Sequence, residues 1–224
     1  LNMGLDGNTN EICKMVVDND VSGDILLQHQ LYIRNNNADQ YIKYYSFLGS
    51  DMFNSYLRNG KVYNPYIERN IINFNKLLEN TPAWDKSYYF YRWINEDEFL
   101  KNIKVGAIWT DNSFMSVTRQ PFIDPANHYF GYILMKIKVP MNKKGCGLAI
   151  EYYSNFPNEQ EIILPPSKYR LINNKNVKYY HPDKNVKDKI VSKYIFEFIE
   201  PNQDFLIKKN KEETIIETFD FSQN

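Results

Sequence analysis

Net charge is the first thing this sequence lacks. Its 27 Lys and Arg are balanced by 27 Asp and Glu, so the formal charge at neutral pH is 0. No global positive field draws such a chain to nucleic acid or to anionic membranes. Cysteine is also scarce. Cys13 and Cys146 lie far apart, match no metal-ligand spacing, and read as free or buried thiols rather than as a disulfide. No metal site is expected. Histidine is limited to His29, His128 and His181. No apolar run approaches the ~20 residues that a membrane span needs. The segment from Leu1 to Asn10 is polar and has no signal-peptide apolar core. A chain that begins at Leu1 is read as a mature or excised segment. Arg and Ala are sparse beside Lys, Asn, Ile and Tyr, a bias of AT-rich coding sequence that carries no chemistry.

Aromatic side chains are abundant. Tyr (18) and Phe (14) dominate an aromatic content of 16 %, within 43 % hydrophobic residues. Large rings bury much area per residue, so a folded core is expected. The first third is patterned for helices. Ile25, Leu26, Leu27 and Leu31 form one apolar stripe, and Tyr41, Tyr44, Tyr45 and Leu48 form another, with Asn35-Asn36-Asn37 between them. Asn64-Pro65 predicts a helix start, Ile67, Ile71, Phe74 and Leu78 continue it, and Thr81-Pro82 closes it. After Pro82 the pattern changes to short strands: Tyr88–Trp93, Ala107–Thr110, Phe114–Thr118, Tyr129–Val139, Leu148–Tyr153, Glu161–Leu164, Tyr169–Ile172 and Tyr194–Ile199, with one short helix near Glu96–Ile103. A hairpin of Phe205–Lys208 and Thr214–Phe219 is expected beyond Pro201. Helices followed by many strands predict an α+β fold. The whole, 1–224, is read as a single domain with a helical part over about 11–82 and a β-rich part over about 83–224.

Three features then appear in order on strand-type segments. Tyr88-Tyr89-Phe90-Tyr91-Arg92 is an aromatic run ending in arginine. Phe114-Met115-Ser116-Val117-Thr118 carries Ser-x-Thr. Asn158-Glu159-Gln160-Glu161 runs into Ile162-Ile163-Leu164-Pro165. Each alone has an ordinary explanation: a surface arginine packed on rings, a strand hydroxyl, a cheap acidic pair. Glu96-Asp97-Glu98 is another such pair, and reads as the acidic first turn of a helix. Glu159 and Glu161 differ in standing where a polar loop meets an apolar strand. If strand geometry includes position 159, alternation puts both carboxylates on one face, where like charges repel. Rigid scaffolds tend to hold functional groups at such junctions.

This ordered set resembles the arginine-specific mono-ADP-ribosyltransferases, including the catalytic domains of bacterial actin-modifying toxins. The resemblance covers about Asp24 to Glu200. Upstream it includes Ser55-Tyr56-Leu57-Arg58-Asn59-Gly60, and downstream Pro166-Ser167-Lys168-Tyr169-Arg170-Leu171. Ser116-Val117-Thr118 stands where the family usually has Ser-Thr-Ser, and Trp93 stands where glycine often follows the arginine. The resemblance implies N-terminal helices packed on a mixed or antiparallel two-sheet β core. It implies NAD as co-substrate and a glycosyltransferase reaction through an oxocarbenium-like transition state. Glu161 would face the ribose, Ser116 would orient Glu161, and Glu159 would align and deprotonate an acceptor guanidinium. Arg92 would hold the pyrophosphate, with Tyr91, Ser116, Thr118 and Phe122 completing the cofactor site. Tyr152, Tyr153 and Phe156 would contact the target protein. The target would be a protein carrying the acceptor arginine, such as actin or a GTPase. As for toxins and virulence factors, secretion or delivery into a target cell's cytoplasm is implied, with a separate delivery component.

Other readings have less support. A histidine-dependent branch of NAD-consuming toxins would need a histidine in place of Arg92, and none of the three ends a strand before a nucleotide loop. A catalytically inactive binding module of the same fold, acting through its N-terminal helices, is set against the intact Arg92, Ser116 and Glu161. A nucleic-acid-modifying relative is opposed by the neutral charge and by glutamate at 159.

Overall fold

The fold is described from a computed structural model over residues 20–59, 62–120, 133–179 and 189–206. Helix α1 spans Gly23–Asn35, and Ser22 caps it by accepting the Ile25 N–H at 3.3 Å. Its buried face is Ile25, His29 and Ile33, one residue every fourth position. Leu27 and Leu31, expected in the stripe, are instead exposed. The helix is phased by the histidine. His29 Nδ1 accepts the backbone N–H of Ala149 at 3.1 Å, and its ring stacks on Trp84 at 4.3 Å. A polar residue with specific partners here outranks two leucines.

Helix α2 (Asp39–Tyr44) continues through a π-helical turn, Tyr45–Gly49, into α3 (Ser50–Asn59). Tyr45 points fully inward, while Phe47 and Leu48 are left exposed, so Leu48 also falls outside its expected stripe. Helix α4 (Pro65–Glu79) begins where the sequence predicts. Asn64 Oδ1 accepts the N–H groups of Tyr66 and Ile67, each at 3.1 Å. Ile71, Phe74 and Leu78 are buried along it. No described helix is long and apolar enough to cross a membrane.

The β-rich part contains β1 (Tyr88–Ile94), β2 (Ile108–Asp111), β3 (Met115–Thr118), β4 (Ile133–Val139), β5 (Leu148–Ala149), β6 (Glu161–Leu164), β7 (Ser167–Tyr179) and β8 (Lys189–Pro201). Hydrogen bonds join all eight into one sheet of order β2-β7-β8-β4-β1-β3-β6-β5. The β4–β8 pair is parallel and the others are antiparallel. The chain is therefore α+β as expected, with one mixed sheet in place of the two-sheet core, because β1 pairs with both β3 and β4 and so joins the strands into a single sheet.

Two local expectations are corrected. The Glu96–Ile103 segment forms only a turn, in which the Asp97 carbonyl accepts the N–H groups of Leu100 and Lys101. The Asp97 side chain is buried and accepts the Tyr194 hydroxyl at 2.7 Å, which ties the segment to β8. Strand β5 ends at Ala149, well short of Tyr153. The Ile150 carbonyl takes the N–H groups of both Tyr153 and Ser154 at 2.9 Å, and the chain turns there. The expected strands at Tyr169–Ile172 and Tyr194–Ile199 are the middles of β7 and β8. Residues 129–132, Phe122, Cys13 and the hairpin beyond Leu206 lie outside the described residues.

Two cores result. One packs Tyr88, Phe90, Met115, Val117, Met135, Ile137, Ile162, Leu164, Tyr169 and Phe196 with Ile25 and Trp84. The other joins helix residues Ile42, Tyr45, Phe53, Ile71 and Phe74 to Phe114, Leu148, Ile150 and Ile163. Strands β5 and β6 contribute to both, one face to each, and Phe114, just before β3, joins the second, so the two cores meet across this edge of the sheet. Cys146 is a free thiol buried in the first core, and burial pushes it up to about 11.

Burial lowers His29 to about 4 from its usual 6.5, outweighing the opposing pull of the Pro82 carbonyl. Between these values the unfolded chain takes up a proton that the folded protein refuses. Stability from neutral His29 is thus complete above 6.5 and is lost as pH falls toward 4. The shift corresponds to about 3 kcal/mol at most. Between pH 6.5 and 4.5 the wild type should lose more thermal stability than His29→Asn, which keeps an acceptor but cannot titrate. Parallel melting curves across that range would count against this coupling.

Candidate active site

Strand β3 divides its side chains by alternation. Met115 and Val117 enter the first core, and Ser116 and Thr118 point the other way. In β6, Glu161 and Ile163 share that second face, since Ser116 pairs with Ile163 and Thr118 with Glu161. Ser116 is therefore a diagonal neighbour of Glu161, and its hydroxyl donates to Glu161 Oε1 at 2.5 Å. The backbone of Ser116 is also used. Its carbonyl accepts Arg92 Nη1 at 2.8 Å, which brings the end of β1 to the same place. Arg92, Ser116 and Glu161, widely separated in sequence, are thus joined by two hydrogen bonds.

Glu161 is buried, and removal from water raises its carboxyl to about 7. The charge of Glu159 pushes the same way. The Ser116 hydroxyl and Arg92 pull down, and burial prevails. Arg92 is half-buried beside it. Burial, then the like charge of Arg58, lower its guanidinium, opposed by Asp111, Tyr45 and Glu161. Arg58 from α3 is fixed beside it by donating from Nη2 to Ser113 Oγ at 2.9 Å, and Ser113 in turn donates to Asp111 Oδ1 at 2.6 Å. In the family resemblance Arg58 stands only within the upstream stretch Ser55–Gly60. Its proximity to Arg92 is a tertiary feature that spacing alone does not reveal.

Glu159 does not lie on the strand. It ends a short 3₁₀ turn, Pro157–Glu159, and Gln160 after it is left-handed at φ +46°. The shared strand face expected for the two glutamates is therefore replaced by a turn that delivers Glu159 next to Glu161. Glu159 is partly buried, which raises its carboxyl. Thr118 reaches the same turn, its hydroxyl donating to the Glu159 carbonyl at 2.7 Å. Tyr91, opposite Thr118 in β1, is fully buried in the sheet.

The loop residues separate. Tyr152 is 67 % exposed and Phe156 46 %, whereas Tyr153 packs against the second core. Asn155 pins this loop to the helical part. Its backbone N–H donates to Ser46 Oγ at 3.1 Å and its side chain to the Lys43 carbonyl at 2.6 Å. Exposed Phe47 and Leu48 in the π-helical turn therefore lie on the segment that anchors the loop. That connection is tertiary, and no local pattern signals it. Among the described residues, no group of three or more His, Cys, Asp or Glu stands together as metal ligands.

Comparison with known proteins agrees with this architecture. An uncharacterized protein of Acanthamoeba polyphaga mimivirus is 41 % identical across 91 % of this chain. The chain spans 30 % of that relative's length. Among solved structures, the ADP-ribosyltransferase toxin Plx2a from Paenibacillus larvae superposes with a TM-score of 0.55 at 16 % identity, covering 87 % of this chain and 94 % of Plx2a. C3stau2 from S. aureus, solved with NAD, gives a TM-score of 0.58 at 17 % identity, over 81 % of this chain and 98 % of the other. The enzymatic component C2-I of the Clostridium botulinum C2-toxin gives 0.57 at 16 % identity, over 78 % and 47 %. The pattern of the family described as ADP-ribosyltransferase exoenzyme matches residues 25–198, and the chain belongs to that family.

Proposed function

We propose that this chain is a mono-ADP-ribosyltransferase domain that moves ADP-ribose from NAD to an arginine of a target protein. The observation that carries this reading is Ser116, whose carbonyl receives Arg92 and whose hydroxyl holds Glu161. The donor set suits NAD. Arg92 and Arg58 bring two guanidinium groups together, as paired phosphates require, and a planar fork of donors suits such oxygens. Glu161 stands ready, when ionised, to stabilise the positive charge that develops on the ribose as the bond to nicotinamide breaks. Ser116 keeps that carboxylate aimed. Thr118 holds the adjoining turn through the Glu159 carbonyl, and Tyr91 is buried in the sheet opposite it, both on the cofactor side of the site.

Glu159 is assigned to the acceptor. A guanidinium is protonated at neutral pH, and it becomes nucleophilic only as a carboxylate aligns it and removes a proton. The turn-borne position and raised pKa of Glu159 suit this exchange. Exposed Tyr152 and Phe156 lie on the loop leading to it, where a protein surface would dock. Actin or a GTPase fits the chemistry required, an exposed arginine, and Phe122 is assigned to the nicotinamide side.

The two glutamates should separate in assays. Glu161→Gln should abolish both arginine labelling and slow hydrolysis of NAD. Glu159→Gln should abolish labelling while hydrolysis stays largely intact, because water needs no guanidinium alignment. Labelling at the wild-type rate by Glu159→Gln would defeat the arginine assignment, and normal NAD cleavage by Glu161→Gln would defeat the transferase reading.

The pH dependence gives a second test. If the Glu161 carboxylate is the working form, kcat/KM for NAD should rise through pH about 7. The Ser116 hydrogen bond lowers this carboxyl, so Ser116→Ala should move the midpoint upward and reduce the plateau roughly ten- to hundred-fold. An unchanged midpoint would remove Ser116 from its supporting role.

The same shift predicts a stability change of opposite sign to that at His29. A carboxyl raised from 4.5 to about 7 favours the folded state fully below 4.5, and that benefit is lost as pH rises through 7. At pH 8 the wild type should therefore carry a penalty of about 2–3 kcal/mol that Glu161→Gln lacks. The variant should melt several degrees higher at pH 8 and no higher at pH 4.5. Equal melting temperatures at pH 8 would show that the carboxylate is not strained by burial.

A further inference from the structure

The turn that presents Glu159 is held at three consecutive carbonyls. Thr118 Oγ1 donates to the carbonyl of Glu159 at 2.7 Å, the Arg119 N–H to that of Gln160 at 3.2 Å, and the Ile150 N–H to that of Glu161 at 3.0 Å. Two come from the end of β3 and one from the end of β5. Those two chain ends are not neighbours in the sheet, because β6 lies between them. They are tied to each other beyond the turn. Arg119 Nε and Nη2 donate to Glu151 Oε1 and Oε2 at 3.1 and 3.0 Å, a paired contact whose side chains are about one-fifth exposed. Neither residue shares a hydrogen bond with Arg92, Ser116 or the Glu161 carboxylate in this structure.

We infer that the Arg119–Glu151 ion pair is a positioning device that sets the 159–161 turn, and so governs transfer to the acceptor separately from NAD cleavage. This rests on the assignment of Glu159 to the acceptor. The physical need is clear at Gln160. A non-glycine residue at φ +46° is held only if its surroundings fix it. The sheet register already fixes Glu161 through four consecutive β3–β6 pairs. Glu159, beyond the strand, is held among the described residues by the Thr118 contact and the backbone bond of its own 3₁₀ turn, while the Arg119 N–H holds Gln160 next to it. A fork-to-carboxylate bridge sets both distance and angle between its two chain ends, which a single contact or a lysine would not do. As a partly exposed pair it should add little to overall stability. Its leverage is geometric, since small misplacements of a reacting group cost rate steeply.

The test uses the whole chain, with agmatine as a small guanidino acceptor and with NAD hydrolysis in its absence. Arg119→Ala and Glu151→Ala should each lower agmatine modification at least ten-fold, while NAD hydrolysis and KM for NAD stay within about two-fold of wild type. The Arg119→Glu/Glu151→Arg exchange should recover most of the transfer, and Arg119→Lys only part, because it keeps charge without the fork. Melting curves identify variants that do not fold, and the exchanged pair then carries the test. Transfer-to-hydrolysis ratios equal to wild type would overturn the inference. So would a parallel fall in both activities of a folded variant, which would place the pair at the cofactor or in general support. If the wild type itself cleaves NAD but never modifies agmatine, the arginine reading fails and takes this role with it. If the wild type modifies agmatine and the variants match it, the ion pair alone is refuted.

Discussion

The carboxyl of Glu161 has been taken out of water, and the rest of the site is arranged around that cost. A buried carboxylate is unfavourable unless donors or positive charge compensate it. Here the compensation is partial: one hydroxyl from Ser116 and the nearby Arg92 do not cancel the desolvation and the charge of Glu159. A fully compensated carboxylate would be quiet. One poised at about 7 retains strong unspent attraction for a cation, and in the proposed reaction that cation is the ribose at the transition state. The same imbalance is a stability liability, as sites tuned for chemistry commonly are.

Strand β3 shows how little sequence is needed to build this. Four residues serve the first core and the site. Met115 and Val117 anchor the strand in the first core, so the pleat forces Ser116 and Thr118 to the opposite face beside Glu161. Arg92 reaches the carbonyl of Ser116, not its hydroxyl. The arginine tether is thus independent of the residue type at 116, while the Glu161 contact is not. That division lets a single substitution probe the carboxylate without loosening β1. It also accounts for tolerance of valine at 117, since that side chain only packs.

What could be read from the sequence follows the same logic. Period-2 alternation and Asn64-Pro65 are local signals, so β1, β3, β6 and α4 were legible within a residue or two, and the α+β class with them. The order of Arg92, Ser116 and Glu161 was legible because the family match is carried by residue types along the chain. Features set by distant partners were not. Leu27 and Leu31 look like core, yet His29 takes the inward position because Ala149 and Trp84, far along the chain, supply its partners. Glu96–Ile103 has helical composition, but Tyr194 captures Asp97 and leaves one turn. Glu-x-Glu looks like alternation on a strand, but the left-handed Gln160 puts Glu159 on a turn. Arg58 and Arg119 carried no local signal, because each gains its meaning from a partner in another element.

Tyr152 and Tyr153 make the limit concrete. They are adjacent, identical in type, and in edge contact with each other at 5.1 Å, yet one is mostly exposed and the other packs on the second core. The turn begun at Ile150 decides which is which. The same turn starts the loop that Asn155 fastens to Ser46 and Lys43 and that ends at Glu159. The exposed aromatic surface and the turn-borne glutamate are therefore two ends of one braced segment. Glu161, by contrast, sits in a strand fixed by register. In the proposed reaction the group that meets the transition-state charge is carried by a strand paired on both sides, where preorganisation is worth most. The group that must receive a variable protein surface is carried by a loop, where a new contact can be accommodated without disturbing the sheet.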